Sequence, residues 1–359
     1  MAKPRKGARS RRRPGARTSL AREIAEADAS LLIGEAARSI VELRGIIPTG
    51  AESLDVATGR GGIPLGRISM LQGGEGGGKT TLALSIVCEV QRMDGVALFF
   101  DVERKLDIGH AIRIGVDMDE LIMGYPADVE TAVMKIAKAI DRHTEISEER
   151  GVERPLLIVV DSITALDTKL ATTIEKKAEQ GTAPRVGSQA SAISELLRQI
   201  NPRIGNRNVA LLLISQLRTK ITRFGAREDA TCGRAPKFYS ALIIQTRGEH
   251  IRKAGKRVGL DVECECVKNQ IATPFKRGRF QVSATGIDRA GSLLEAAAEV
   301  GLATAAKSGW VTFEDDSPWP GMKVQGGRGL RVKARKDPDL LAKLRAEIRR
   351  RAFGEGEEK

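Results

Sequence analysis

Residues 73–80, which read GGEGGGKT, constrain the fold of this 359-residue chain more than any other stretch. They have the G-x-x-x-x-G-K-[ST] spacing of a phosphate-binding loop, in which glycines let backbone N–H groups point at phosphate oxygens. An apolar run at 67–71 precedes them as a predicted strand, and residues 80–91 follow as a predicted helix. Because the N-terminus of a helix attracts anions, the sequence predicts a nucleotide site at this turn.

Each position of the loop is predicted to contact the nucleotide. Lys79 supplies a positive charge for the β- and γ-phosphates, and the Thr80 hydroxyl is placed to bind Mg²⁺. The predicted nucleotide-binding residues of this segment are Gly73, Gly74, Glu75, Gly76, Gly77, Gly78, Lys79, Thr80 and Thr81.

Apolar runs alternate with helical patterns after the loop. The runs with strand character are residues 96–100, 156–160, 209–214, 241–246, 260–267 and 279–282, and the amphipathic patterns are residues 128–143 and 187–200. Near-continuous apolar strands separated by helices indicate an α/β fold, with a mostly parallel sheet flanked by helices. Ligands of such sheets lie beyond the carboxyl ends of the strands.

Polar residues stand at the ends of three predicted strands. Asp161 is the predicted carboxylate of the magnesium site. Glu103 is a candidate general base, with Asp101 and Asp107 as competitors at similar spacing. Gln216 could sense the γ-phosphate and pass its presence to the basic segment that follows. The chain has no N-K-x-D sequence for guanine, so ATP is the predicted nucleotide.

The formal net charge of +13 indicates a polyanionic partner, which we predict to be DNA. Aromatic residues make up only 3% of the chain, which argues against gripping single strands mainly by base stacking. Cations and backbone amides are therefore expected to contact DNA phosphates.

Cysteine usage and hydropathy indicate a cytoplasmic protein. The four cysteines form no C-x-x-C pair, which predicts reduced thiols. No apolar stretch reaches the ~18 residues of a membrane span, and the N-terminus lacks the apolar segment of a secretory signal. We expect no membrane partner.

Changes in composition along the chain predict its organisation. The predicted parts are a disordered basic arm (1–22), an oligomerisation helix (23–45), an ATPase core (46–285) with two basic loops (179–186 and 217–236), a small basic α+β domain for duplex DNA (286–353) and an acidic tail (354–359). The arm could be a solvated tail or a DNA tether. In the last domain, Ser292 and Glu295 form a predicted capping box, and Asp337 and Pro338 are predicted to begin the final helix.

Several separate motifs occur in the order and spacing of one bacterial family, from about residue 48 to residue 353. They include GGEGGGKTT, FFDVERKLD, LLIVVDSITAL, LISQLRTKI, KFYSA and VKNQIATPFK. The chain resembles the bacterial RecA recombinases. This resemblance implies a helical filament of many copies on single-stranded DNA, which uses ATP and Mg²⁺ and pairs the strand with a homologous double-stranded DNA in recombination and repair.

The resemblance also implies roles for individual residues. Glu103 would be the hydrolytic base, Gln216 the γ-phosphate sensor, and Lys268 a cation that reaches ATP across the subunit interface. Asp107 and His110 would lie at the nucleotide, with His110 in the place of an adenine-stacking tyrosine. The DNA-binding candidates in the two loops are Arg185, Arg218, Lys220, Arg223 and Phe224.

One departure from the family keeps other functions open. Gln270 occupies the position of a second interfacial lysine, which puts the strength of activation across the interface in question. An ATP-binding protein that coats DNA with little hydrolysis is therefore one alternative. A ring-forming ATPase of the same fold is another.

Overall fold

The computed structural model describes residues 43–168, 188–222, 225–230, 233–306 and 308–354. Several sequence predictions lie outside these residues: the arm 1–22, most of the helix 23–45, the loop 179–186, most of the tail 354–359, and Arg185, Arg223 and Phe224.

A ten-stranded sheet forms the centre of the described structure, beside a short antiparallel pair. The pair is β1 (Ile46–Ile47) and β2 (Ile63–Pro64). The strands of the large sheet are β3 (Ile68–Gly73), β4 (Val96–Asp101), β5 (Leu121–Gly124), β6 (Leu156–Asp161), β7 (Val209–Thr222), β8 (Gly225–Ala230), β9 (Ser240–Lys253), β10 (Lys256–Asn269), β11 (Arg277–Ser283) and β12 (Gly286–Ile287).

The strand order is β12-β11-β10-β9-β3-β7-β6-β4-β5, and β8 pairs with β7 outside this path. Six neighbouring strands of this sheet run parallel: β9, β3, β7, β6, β4 and β5. The pairs β9–β10, β10–β11 and β11–β12 are antiparallel. Strands β3, β4 and β6 are buried along nearly their whole length, as helices on both faces require. The predicted α/β fold with a mostly parallel sheet is confirmed.

Helices cover both faces of the sheet and also form part of the C-terminal region. They are α1 (Glu52–Thr58), α2 (Lys79–Arg92), α3 (Ile108–Ile114), α4 (Val129–Arg150), α5 (Ser188–Ile204), α6 (Ala235–Tyr239), α7 (Arg289–Glu299), α8 (Gly326–Ala334) and α9 (Leu340–Phe353). Helices α1 and α2 share one apolar core with the sheet, and α4 and α5 share the other. No helix in the described part of the chain has the length and apolar composition that a membrane span requires.

The polar composition of the segment 217–236 had suggested a single loop. The structure instead has two strands within it. Strand β7 continues to Thr222 and β8 returns beside it, with Leu217 opposite Ala230 and Thr222 opposite Gly225. Only Leu217 and Ile221 are apolar in LRTKIT, and they lie four residues apart, so this stretch lacks the strict alternation that indicates a strand. Residues 217–222 and 225–230 nevertheless pair antiparallel as a β-hairpin, and the pair extends the strand that ends at the predicted nucleotide site.

The C-terminal region contains α7 to α9 and a three-stranded antiparallel sheet of β13 (Ala303–Ala305), β14 (Trp310–Phe313) and β15 (Lys323–Gln325). The predicted capping box is wrong. Asp288 caps α7 by accepting from the Gly291 backbone N–H at 3.1 Å, and Ser292 lies inside the helix. Its hydroxyl lies 2.9 Å from that of Ser53, so it ties α7 to α1.

The final helix also begins later than predicted. Asp337 and Pro338 lie in the turn before α9, which starts at Leu340, because the Asp337 carboxylate accepts from the Asp339 N–H in a local turn. Strand β12 pairs with β11, so the main sheet runs two residues past the predicted end of the core.

Candidate nucleotide-binding site

The phosphate-loop motif lies between the carboxyl end of β3 and the first turn of α2. Gly78 immediately precedes the helix at φ +83, a left-handed conformation that glycine adopts without strain. A Cβ at Gly73 would lie 2.4 Å from the Thr246 carbonyl oxygen, so only glycine lets β9 approach this closely. The loop therefore needs glycine for two separate reasons, its turn and its contact with the neighbouring strand.

Lys79 is the first residue of α2 and its side chain folds back over the loop. Its Nζ donates to the carbonyl oxygens of Gly73 at 2.9 Å and Gly74 at 2.7 Å. Burial lowers the pKa of Lys79, although Asp161 and other nearby carboxylates oppose that shift. The ammonium group thus lies at the loop, where phosphate oxygens are expected, with weak carbonyl partners that an anion can replace.

Thr80 and Asp161 meet beside the loop at the ends of α2 and β6. The Thr80 hydroxyl donates to Asp161 Oδ2 at 2.8 Å. Burial raises the pKa of Asp161, while the bond from Thr80 opposes the shift. A hydroxyl and a carboxylate are the hard oxygen donors that Mg²⁺ takes alongside phosphates and waters. These residues fit the predicted magnesium position.

Glu103 lies past the end of β4 and has a partner on each carboxylate oxygen. Oε1 accepts from the Ser162 hydroxyl at 3.0 Å and from the Gln216 amide at 3.1 Å. Oε2 accepts from Lys105 Nζ at 2.8 Å. The bond from Lys105 lowers the pKa of Glu103 most, against an opposing effect of burial, and the bond from Ser162 lowers it further. Glu103 is therefore an oriented, ionised carboxylate facing the cleft.

The two competing carboxylates are engaged in local structure. Asp101 is buried, and it accepts from the backbone N–H groups of Lys105 at 3.1 Å and Leu106 at 3.0 Å. Asp107 caps α3 by accepting from the His110 N–H at 2.9 Å. This geometry favours Glu103 over both as the proton acceptor.

Lys79, Thr80, Glu103, Asp161 and Gln216 line one cleft of about 700 Å³ at the carboxyl ends of β3, β4, β6 and β7, together with Asp101, Asp107 and loop residues 75–78. His110 also lines it, with Nε2 3.2 Å from the Thr81 hydroxyl. Sequence reasoning missed other lining residues: Leu84, Phe99, Lys105, Leu106, His250, Gly259, Leu260, Val282 and Ser283. Most of them belong to strands β9 to β11, and no motif near the phosphate loop indicated that these strands reach the cleft. The sequence could have indicated that Lys105 lies at the cleft, because it is two residues after Glu103.

Lys268 does not line this cleft. Its Nζ donates to the carbonyl oxygens of Lys237 and Phe238, both at 2.9 Å, at the C-terminal end of α6. Burial lowers its pKa. The structure thus separates Lys268 from the nucleotide residues of its own chain, and a role at ATP would require a second copy.

The DNA-binding candidates divide between described and undescribed residues. Arg218 and Lys220 lie in the hairpin strand β7, opposite Asp229 and Arg227 of β8. Arg185, Arg223 and Phe224 lie outside the described residues. Strand β7 carries Gln216 at the cleft and Arg218 two residues later, so the hairpin is covalently continuous with the site.

Several known proteins are similar to this chain over most of its length. The family model for the RecA N-terminal domain matches residues 25–288. The chain is 37% identical over 318 residues to Protein RecA of Syntrophus aciditrophicus, covering 87% of this chain and 86% of that protein. It is 35% identical over 325 residues to Protein RecA of Ruminococcus albus (89% and 75% covered) and 36% identical over 307 residues to Protein RecA of Aquifex pyrophilus (84% and 82% covered).

Proposed function

The chain belongs to the RecA family, and from that premise we propose that it is a DNA-dependent ATPase that forms filaments on single-stranded DNA and catalyses homologous pairing and strand exchange. The observation that carries the proposal is the convergence of Lys79, Thr80, Asp161, Glu103 and Gln216 on one cleft. They come from four separate parts of the sequence, and each is of the residue type that phosphoryl transfer to water requires.

Each of these residues would have a separate task in ATP hydrolysis. The loop N–H groups and the Lys79 ammonium would hold the β- and γ-phosphates. Thr80 and Asp161 would hold Mg²⁺, which when bound would neutralise charge that develops on the phosphate oxygens. Glu103 would accept the proton of the attacking water.

Gln216 would connect hydrolysis to DNA. Its amide donates to Glu103, and its strand continues into the hairpin that carries Arg218 and Lys220. A γ-phosphate could compete for the amide and shift the strand, so that nucleotide state would bias the DNA-binding segment. The proposal includes a reciprocal effect, in which DNA binding favours the ATP-bound geometry.

Part of the C-terminal basic region is suited to duplex DNA. Five cations lie exposed on α8 and the turn after it, Arg328, Arg331, Lys333, Arg335 and Lys336, of which Arg331 pairs with Asp288. Other arginines in the same charge run have internal partners, since Arg345 and Arg349 bind the buried Glu52 at 2.9 and 2.8 Å. We propose that the α8 surface, rather than the whole run, supplies phosphate contacts.

Lys79→Ala tests the proposed ATPase. The substitution removes the ammonium that would bind the phosphates, so we expect ATP hydrolysis and ATP-driven filament growth to be abolished. Phosphate release is measured with and without single-stranded DNA, using Arg142→Ala as a matched control, because Arg142 forms an exposed ion pair on α4. Full turnover in the Lys79 variant would contradict the assignment.

The wild-type chain in the same assay separates the alternatives. Stimulation of hydrolysis by single-stranded DNA supports the recombinase, whereas DNA binding with negligible hydrolysis would indicate a coating protein. Negative-stain microscopy distinguishes helical filaments from closed rings.

A further inference from the structure

Lys105 is an exposed cation at the nucleotide cleft to which the sequence assigned no role. It lies in the connection between β4 and α3 and lines the cleft beside Glu103. Its side chain is 77% exposed, and its Nζ lies 2.8 Å from Glu103 Oε2. The candidate base and an exposed cation are therefore in direct contact at the cleft.

The backbone beneath Lys105 is held in place although its side chain is exposed. The buried Asp101 carboxylate accepts from the N–H groups of Lys105 and Leu106 at 3.1 and 3.0 Å. This anchor fixes the start of the Lys105 side chain relative to the sheet. The four-carbon stem can then carry the ammonium group between partners without movement of the loop.

The two oxygens of Glu103 have different kinds of partner. Oε1 is held by Ser162 and Gln216, two neutral groups that orient the carboxylate. Oε2 is paired with Lys105, and this contact is the largest cause of the lowered pKa of Glu103. A carboxylate that is paired in this way is a weak proton acceptor, because the cation favours its ionised form.

The ion pair between Lys105 and Glu103 is easily exchanged. The Lys105 side chain is 77% exposed, against 21% for Glu103, so water reaches the ammonium and screens the pair, which therefore contributes little to stability. A terminal phosphate carries more negative charge than one carboxylate and offers three acceptor oxygens. A phosphate in the cleft would therefore compete well for the Lys105 ammonium.

We propose that Lys105 binds the terminal phosphate of ATP and thereby releases Glu103 Oε2 to act as the base, an inference that rests on the proposed ATPase function. The attacking water forms its bond to the γ-phosphorus through oxygen and gives a proton to Oε2. The bond from the γ-phosphorus to the bridging oxygen breaks, and its electron pair leaves with ADP. Oε2 of Glu103 is thus paired with Lys105 when no γ-phosphate is present. When a γ-phosphate is bound, Oε2 can accept a proton.

Nucleotide selectivity tests the phosphate contact. In Lys105→Ala we expect the affinity for a non-hydrolysable ATP analogue to fall by about tenfold, as for loss of one charge-assisted hydrogen bond, with ADP affinity changed by less than about twofold. Lys105→Arg keeps the charge and should retain most of the selectivity. The matched control is Arg142→Ala, which breaks an exposed ion pair outside the cleft lining.

Unchanged ADP binding also shows that the variant site is intact. Equal losses for the two nucleotides, or no loss for either, would overturn the inference, because Lys105 would then be a surface partner of Glu103 only. This binding experiment needs no hydrolysis, so its failure is distinguishable from failure of the proposed ATPase, which the wild-type turnover assay reports.

Steady-state kinetics test the release of Glu103. If Lys105 leaves Glu103 when ATP binds, the base is unpaired in both proteins at saturation. Lys105→Ala should then raise KM by roughly tenfold while kcat changes by less than about threefold. A raised kcat with unchanged KM would show that Lys105 stays on Glu103 in the complex, and the release step would be wrong.

Discussion

Glu103 and Asp161 lie at the ends of adjacent strands, yet their surroundings shift their pKa values in opposite directions. Lys105 and Ser162 lower the pKa of Glu103, whereas burial raises that of Asp161. Paired carboxylates with divergent environments commonly divide two tasks. Here the hydroxyl partner of Asp161 favours a magnesium role, and the polar partners of Glu103 favour proton transfer.

Glu103→Gln tests that division at the level of one residue. The amide keeps the size of the side chain but cannot accept a proton, so we expect kcat to fall by roughly 10²- to 10⁴-fold while ATP affinity changes little. Phosphate release and equilibrium binding are measured on the same preparation. If the variant hydrolyses ATP at the wild-type rate, a group other than Glu103 is the proton acceptor.

At the level of elements, β7 is both the strand that positions Gln216 and the first arm of the hairpin. Helix α5 makes a second connection to the site. Gln189 in its first turn donates to the carbonyl oxygens of Thr164 and Leu166 at 3.3 and 2.6 Å, and the Thr164 hydroxyl lies 2.8 Å from that of Ser162. Strand β7 and helix α5 both adjoin the predicted DNA-binding segments. Each is therefore connected to Glu103 through hydrogen bonds.

The hairpin prediction concerns salt dependence. Arg218→Ala or Lys220→Ala should weaken single-stranded DNA binding and reduce the slope of log K against log salt by roughly one unit for each lost phosphate contact. Fluorescence anisotropy across a salt series measures both. Arg203→Ala is the control, because that residue pairs with Asp141 outside the hairpin. Unchanged affinity and slope would show that the two cations are merely solvated.

The contact between α1 and β11 gives a stability prediction. A Cβ at Gly278 would lie 2.7 Å from both the Leu54 Cα and the Ser53 carbonyl oxygen, which are backbone atoms that cannot rotate away. Gly278→Ala should therefore lower the free energy of unfolding by about 1–3 kcal/mol, measured by urea denaturation. At Gly205 the nearest atom to such a Cβ is 3.7 Å away. Gly205→Ala should leave stability unchanged or slightly raised, and an equal effect of the two would refute the argument.

On the scale of the whole molecule, a buried ionic cluster joins the first and last described helices. Glu52 and Asp55 of α1 are 3% and 1% exposed, and Arg345 and Arg349 of α9 reach Glu52. Thr49 donates to Asp55 from its backbone N–H at 2.8 Å and from its hydroxyl at 2.7 Å. The cluster connects the C-terminal region to the helix that lies just before the phosphate-loop strand.

This cluster predicts a pH dependence of global stability. Burial, followed by the Glu52 charge, raises the pKa of Asp55 from 3.8 to about 8. Between these values the folded state binds the proton and the unfolded state does not, so stability falls as pH rises, by at most about 1.4 kcal/mol per pH unit. Urea denaturation from pH 5 to 9 measures the slope. Asp55→Asn should flatten it, and an identical slope in that variant would rule Asp55 out as the source.

The sequence by itself determined the parts that consecutive residues encode. The phosphate loop, the apolar strands and the carboxylates at their ends were all predictable, because glycine spacing and apolar runs act within a few residues of the chain. The same local reasoning failed for the capping box, since Asp288 competes for the helix end through geometry that spacing does not reveal. It also missed the hairpin, because LRTKIT contains only two apolar residues, four positions apart, and shows no strand alternation.

Only the tertiary structure decided which of these residues meet. Strand order brings Glu103, Ser162 and Gln216 together from β4, β6 and β7. It also places strands β9 to β11 along the cleft and keeps Lys268 out of it. The pairing of Lys105 with Glu103 depends on the Asp101 anchor within that fold. Contacts between distant segments follow from sheet order and register, and short-range patterns carry almost no information about either.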